Sequence, residues 1–217
     1  MSEVIHIVMV RDTLDDLPSC SMPDGYSIRT FRRGEGPLWT EIGFAAGNFN
    51  SLAEAQDRFA EEFEQPVEDM ESRCFFVVHN ESGRAVGTAM AWYDPWFVEG
   101  EDYGRVHWVA IIPEHQGKGL AKPMMSAVLH RLAESHDKAM LGTQTFRKAA
   151  VNLYLDLGFL PYLKNDTCPQ AWKDLAAELK HPALTDYLRQ DCAAADVSAH
   201  ADSGVVGSTC PRKSPGA

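Results

Sequence analysis

The chain has 217 residues, of which 45% are hydrophobic and 24% charged, and its formal net charge is −11. That length suits one domain with a sizeable core and is short for two ordinary ones. The acidic balance argues against a general binder of nucleic acid or anionic membrane, both of which call for a basic face, and is compatible with a cationic small substrate.

In chain order, residues 1–25 hold IHIVMV, which reads as a strand or edge segment, and then the turn-rich LDDLPSCSMPDGY. YSIRTF (26–31) alternates as a strand does, and Gly34, Gly36 and Pro37 break it. Trp39, Ile42, Phe44 and Ala45 suggest a first helix over 38–48. SLAEAQDRFAEEFEQP (51–66) is a second, opened by the Ser51/Glu54 capping box, with Phe59 and Phe63 on one face and Pro66 as its stop. Its acidic residues read as a solvated face. CFFVV (74–78) and AVGTAMAWY (85–93) form a hairpin around HNESGR, and 95–104 is a loop. VHWVAII (106–112) is a buried strand ended by Pro113. A helix follows Gly119, with Leu120, Met124, Val128 and Leu132 at helical spacing and Pro123 in its first turn. Then come a strand over 138–145, a helix over 147–157 closed by Gly158, and a last strand over 160–164. Residues 170–190 read as helix broken by Pro182, and 193–217 as a disordered tail. Hairpins mixed with crossover units imply an α/β (α+β) domain with a mixed sheet.

Cys20, Cys74, Cys168, Cys192 and Cys210 are odd in number and contain no CxxC pair, so they read as reduced thiols. The histidines show no HExxH, and no metal is expected. No leader pattern and no run of membrane-span length is present, and a cytoplasmic location is expected.

The stretch PEHQGKGLAKPMM (113–125) places two glycines beside a lysine, between a buried strand and an amphipathic helix. A phosphate loop needs GxxxxGK[ST], which is absent. A dinucleotide fingerprint needs a third glycine where Lys122 stands. The remaining option is a strand–turn–helix whose first amides hold a pyrophosphate, because helix N-termini offer unpaired N–H groups and a positive dipole end. On the residues alone the glycines also fit a plain tight turn. Tyr154, among Leu153, Leu155 and Leu157, likewise fits a core aromatic.

VAIIPEHQGKGLAKPMM resembles the acetyl-CoA signature of the GNAT superfamily of N-acetyltransferases, Q/R-x-x-G-x-G/A after a buried strand, with Gln116, Gly119 and Ala121 in its slots. AAVNLYLDLGF (149–159) resembles the family's A-x-x-x-Y-x-x-x-G-F helix, with Asn152, Tyr154, Gly158 and Phe159 in place. The resemblance covers 26–163. It divides the chain into an N-terminal extension (1–25), the acetyltransferase domain (26–163), a C-terminal helical segment (164–192) and the tail (193–217). It implies the GNAT-like acyl-CoA N-acyltransferase fold, whose fourth and fifth strands splay apart around acetyl-CoA. Counted from 26–31, the fourth strand is 106–112.

By that resemblance, backbone groups of Val109 and Ile111 pair with the pantetheine arm, and the amides of Gly117, Lys118, Gly119, Leu120 and Ala121 hold the pyrophosphate. Gln116 adds side-chain or turn contacts, Asn152 lies near the pantetheine, and Tyr154 points at the sulfur as the acid for the departing thiolate. The implied activity is acetyl transfer from acetyl-CoA to a primary amine by direct attack in a ternary complex. The alternative is a non-catalytic acyl-CoA sensor module of the same fold. The family also allows a homodimer, with 164–192 as interface or as cover for the sheet. An alkyl amine with a pKa of roughly 10 must lose a proton to attack. His107 is the candidate base by type and place, with a packed or exposed histidine as the other reading. On strict alternation it shares a side with Val109 and Ile111. Glu99, Glu101 and Asp102 could line the acceptor mouth, and Trp92, Tyr93 and Trp96 could wall it.

Overall fold

The apolar run near the start of the chain is an inner strand. The computed structural model describes residues 4–63, 67–93, 97–98, 100–163 and 168–189. In it β1 (His6–Arg11) pairs antiparallel with both β6 (Lys138–Gln144) and β7 (Leu160–Pro161). A strand paired on both edges and covered on both faces reads as a continuous apolar run rather than an alternation. With β2 (Tyr26–Thr30), β3 (Cys74–His79), β4 (Arg84–Tyr93) and β5 (Tyr103–Ile111), these make a seven-stranded sheet in the order β2-β3-β4-β5-β6-β1-β7. All its pairings are antiparallel except β5 with β6. The mixed sheet expected from the sequence is therefore present. The tail over 193–217, Pro66, Trp96, Glu99, Cys192 and Cys210 lie outside the described residues.

The helices are α1 (Gly36–Ala45), α2 (Leu52–Phe63), α3 (Val67–Arg73), α4 (Ala121–Ala133), α5 (Lys148–Asp156) and α6 (Cys168–Leu179), followed by α7 over 182–189. Ser51 caps α2 by accepting from the Glu54 amide at 3.1 Å, but the Glu54 carboxylate returns to the Asn50 amide at 2.8 Å, one residue before the expected partner. The short α3 is absent from the sequence reading. Pro182 opens α7 instead of merely breaking a helix, since a residue without an N–H loses nothing in a first turn.

Helices cover both faces of the sheet. A Cβ on Gly104 of β5 would come within 2.7 Å of Leu132 on α4, so that face looks toward α4. Three residues on, His107 packs against Phe63 of α2, on the opposite face. Trp39, Phe49, Phe59 and Phe63 form an aromatic cluster under α1 and α2, with ring centroids 5.5–5.8 Å from Trp39. Arg29 of β2 lies over the Phe76 ring, 5.3 Å from its centroid. It meets Glu35 through two bonds of 2.7 and 2.8 Å, and Glu35 also accepts from the Arg32 amide.

Burial pushes the Glu35 carboxyl up, but the Arg29 and Arg32 hydrogen bonds and charges outweigh it and hold the group below its ordinary value. A carboxyl depressed in the folded state contributes stability above its unfolded pKa, and loses it as pH falls through the folded one. Glu35→Gln is expected to cost about 1–2 kcal/mol at pH 7. The gap from the parent should close toward pH 3, and denaturant titration at both values checks this.

Two irregularities of β5 prepare the site. Pairing with β6 stops after Tyr103–Lys138, Gly104–Ala139 and Arg105–Met140. Beyond it, 106–111 and 141–144 diverge, which is the splay expected of the fourth and fifth strands (β5 and β6 once β1 is counted). Against β4 the register runs from Met90↔His107 to Thr88↔Ala110, so β5 carries one extra residue. Trp108, at φ +48°, is the turning point of this bulge. Met90 and Thr88 share a face of β4, so His107 shares one with Ala110. Val109 and Ile111 lie on the other. The expected common side of His107, Val109 and Ile111 is thus corrected by the bulge.

Candidate active site

At the end of β5 a 3-10 turn (Pro113–His115) leads into the glycine stretch. Gly117 and Gly119 adopt φ +71° and +76°, the left-handed region that side chains disfavour. Alternating left- and right-handed residues curl successive amides into an anion-binding concavity. A Cβ at Gly117 would meet nothing within 4 Å, and one at Gly119 only Pro23 at 3.8 Å. The glycines are therefore required by the backbone turn, and the space in front of them is open. Gln116 donates from Nε2 to the Ile111 carbonyl at 2.8 Å, pinning the turn to the strand. Leu120 is buried beneath, and α4 starts at Ala121 with no side-chain cap on its amides. Lys118 and Lys122 are exposed beside this concavity.

The splay places the edge of β5 along the same opening. Val109 and Ile111 are half-buried against the core. At the bulge, Glu62 of α2 brings two neighbours of β5 together. Its Oε2 accepts from Trp108 Nε1 at 2.9 Å and lies 2.9 Å from His107 Nε2. Burial pushes the Glu62 carboxyl up, but the His107 and Trp108 hydrogen bonds, with the charges of His107 and Arg58, hold it below its ordinary value. Trp108 also packs on Trp39 and Phe49, at 5.4 and 5.1 Å. A positive φ at a bulky residue costs about 1–2 kcal/mol, and these contacts hold it in place.

Sequence reasoning missed Glu62 by assigning the α2 acids to solvent. The signal was periodicity: position 62 lies seven residues after Ala55, which is buried, so both fall on one helical face.

Across the opening, α5 carries Tyr154 and Asn152. Tyr154 is buried with Val151, Leu155 and Phe159, and Asn152 is half-buried. Burial pushes the Tyr154 hydroxyl up to about 12, and the nearby Arg147 charge only partly offsets this. Arg147 reaches back to the loop after α1, donating from both terminal nitrogens to Asn48 Oδ1 at 3.1 Å. Its partner's neighbour, Phe49, stacks on Trp108. A chain of contacts thus runs from α5 to the bulge around the opening, although no direct bond joins Tyr154 to His107.

Two described acids of the 95–104 loop hold ion pairs. Glu101 pairs with Lys138 at 2.7 Å and Asp102 with His136 at 2.9 Å, at the end of β5 where it still pairs with β6. Trp92 packs on Phe63 at 5.1 Å and so belongs to the aromatic side of His107. Tyr93 stacks on it and bonds Asp69. Among the described residues no group of three His, Cys, Asp or Glu side chains could hold a metal ion, and no helix is long and apolar enough to cross a membrane.

Residues 40–159, more than half of the chain, match the model of the acetyltransferase (GNAT) family. A mycothiol acetyltransferase of Streptomyces griseus subsp. griseus is 32% identical over 153 residues, covering 66% of this chain and 46% of that protein. The chain spans about half the length of the curated relatives it matches. Among solved structures, a GNAT-family acetyltransferase from Colwellia psychrerythraea superposes with a TM-score of 0.56 at 14% identity, over 73% of this chain and 53% of that one. A GCN5-related N-acetyltransferase from Sphaerobacter thermophilus gives 0.50 at 18% identity, over 79% and 47%. At those identities the likeness is one of fold.

Proposed function

Because the chain belongs to the acetyltransferase (GNAT) family, we propose that it transfers the acetyl group of acetyl-CoA to a primary amine by direct attack within a ternary complex. The observation that carries this reading is the opening between β5 and β6, with the two left-handed glycines at its end. The amides of 117–121 bind the pyrophosphate. The free edge of β5 at Val109 and Ile111 takes the pantetheine arm as an added strand, a recognition mode that supplies backbone partners to backbone groups. The thioester then lies beside the Trp108 bulge, where an amide turned out of the ladder donates to the oxyanion. Tyr154 donates to the departing sulfur from the α5 side. Asn152 lies next to the arm, and His107 stands on the acceptor side where the amine sheds its proton.

Calorimetric titration with acetyl-CoA, with CoA and NADH as controls, tests the binding half of this reading. Thiol release with a panel of primary amines tests the transfer. Saturable acetyl-CoA binding and amine-dependent thiol release are expected. No binding at millimolar acetyl-CoA would overturn the reading, and binding without release for any amine would leave a sensor module.

A further inference from the structure

We propose that Arg147 binds the carboxylate of the acceptor, so that the amines this chain acetylates are amino acids with a free carboxylate. The inference rests on the acetyl-transfer reading above and narrows its acceptor.

The first support is an unused charge. Arg147 is half-buried, and both of its terminal nitrogens donate to a neutral group, Asn48 Oδ1, at 3.1 Å. Its Nε is buried and meets no acceptor. Among the described residues it forms no ion pair, whereas the neighbouring Lys148 pairs with Glu178, and Arg29 of β2 with Glu35. The side fork of a guanidinium, Nε with one terminal nitrogen, matches the two oxygens of a carboxylate. A buried donor without an acceptor is unfavourable. A ligand carboxylate supplies both the acceptor and the opposite charge.

The second support is place. Asn48 follows α1, and Phe49 beside it stacks on Trp108 at 5.1 Å. Arg147 therefore stands on the α1–α2 side of the opening, where His107 packs against Phe63. The other face is covered by α4, whose first amides are read as the pyrophosphate site. Arg147 is also near enough to Tyr154 for its charge to act on that hydroxyl. The part of acetyl-CoA read to lie beside Tyr154 is the thioester and the pantetheine arm, and neither carries a charge. An anion at Arg147 therefore belongs to the acceptor and not to the cofactor.

The third support is what surrounds the cation. The Phe146 ring lies 5.6 Å from the guanidinium carbon and is 60% exposed, so an apolar face stands beside the charge. That combination suits the carbon skeleton and the carboxylate of an amino acid together. The start of α5, which Arg147 precedes, has no acidic residue in its first turn and no side-chain cap. Its positive dipole end therefore adds to the pull of the guanidinium on an anion.

Discrimination has a physical reason. An acceptor that lacks the carboxylate displaces water from the guanidinium and leaves it unpaired, and such a loss separates substrates far more sharply than a missing methylene does.

The test measures thiol release from acetyl-CoA with the protein L-amino acids and β-alanine. Each is set against the amine left by removing its carboxylate, as phenethylamine is for L-phenylalanine. The best amino acid is expected to exceed its decarboxylated partner about a hundredfold in kcat/KM. In Arg147→Gln that preference should vanish: kcat/KM for the amino acid falls about a hundredfold, chiefly through KM, and the decarboxylated amine stays within about threefold. Acetyl-CoA affinity, read by calorimetry, should also stay within about threefold. Arg147→Lys should recover part of the preference, because it keeps the charge without the fork. The two substrates differ in amine pKa, but that difference is the same in every variant and cancels from the comparison.

A role limited to anchoring the Asn48 loop would lower both substrates alike, and that result in Arg147→Gln overturns the proposal. Weakened acetyl-CoA binding in Arg147→Gln overturns it too, since Arg147 would then be a phosphate contact of the cofactor. So does wild-type protein that binds acetyl-CoA yet acetylates no amino acid better than its decarboxylated partner. Failure of wild-type protein to bind acetyl-CoA would instead sink the acetyl-transfer reading beneath it.

Discussion

Tyr154→Phe is expected to lower kcat by about 10²–10³ while leaving acetyl-CoA affinity within a factor of two or three. The hydroxyl lies in apolar surroundings that push it up to about 12. It is therefore fully protonated at neutral pH and serves as a donor. A thiol near its ordinary value of roughly 8.5 does not take that proton outright, because the transfer runs uphill by several kcal/mol. What Tyr154 supplies is a hydrogen bond that strengthens as charge builds on the departing sulfur. Such a bond acts on the transition state and hardly on the bound thioester, whose sulfur is a weak acceptor. Loss should therefore fall on kcat and spare binding. Phenylalanine keeps the packing against Phe159, 6.2 Å away ring to ring, so the fold should be unaffected. Thiol-release kinetics paired with calorimetry gives both numbers, and equal turnover in the variant would remove the role.

Tyr154 could be singled out from the sequence because its signal is local. A helix of fixed spacing that ends on Gly158 places it, and the chain obeys that spacing. The same holds for the 116–121 turn, where glycine at two positive φ angles leaves few other residues able to serve. What alternation could not show is the bulge at Trp108. One inserted residue reverses which side chains share a face, and whether it is inserted depends on the ladder with β4. The bulge is also held by Glu62, which reaches it from a helix 45 residues earlier. Neither end of that contact carries a local signature. Glu62 sits in an acidic run that looks solvated, and only its phase relative to Ala55 and Phe63 marks it as inward. The position of β1 is non-local in the same sense. IHIVMV announces a buried strand, but its place between β6 and β7 is set by pairing with residues 128–152 positions away. Arg11 at its end donates to the Leu157 carbonyl, closing α5 beside Gly158, where a Cβ would strike the guanidinium at 2.8 Å. The short α3 had its charges in order, with Glu68 and Asp69 first and Arg73 last. Seven residues are too few for periodicity to declare a helix.

Gly119→Val is expected to weaken acetyl-CoA binding by at least about 10²-fold with only a modest loss of stability. Two effects of the substitution must be separated. The first is conformational: at φ +76° any side chain costs roughly 1–2 kcal/mol, whether or not a ligand is present. The second is approach. A Cβ at this position meets nothing of the protein nearer than Pro23 at 3.8 Å, so the added atoms project into open space before the amides of 117–121. If the pyrophosphate lies there, valine pushes it away from hydrogen-bond distance. Each charge-assisted bond lost carries about 1.5–3 kcal/mol, and two of them account for the expected factor. Gly83 provides the control. It has φ +66°, open surroundings and a place in the hairpin turn between β3 and β4. Gly83→Val should carry a similar conformational cost and leave acetyl-CoA affinity unchanged. Calorimetry on both variants, with melting temperatures alongside, therefore reads approach apart from strain. If Gly119→Val and Gly83→Val bind alike, the glycine pair serves only to turn the chain from β5 into α4, and the pyrophosphate must be held elsewhere.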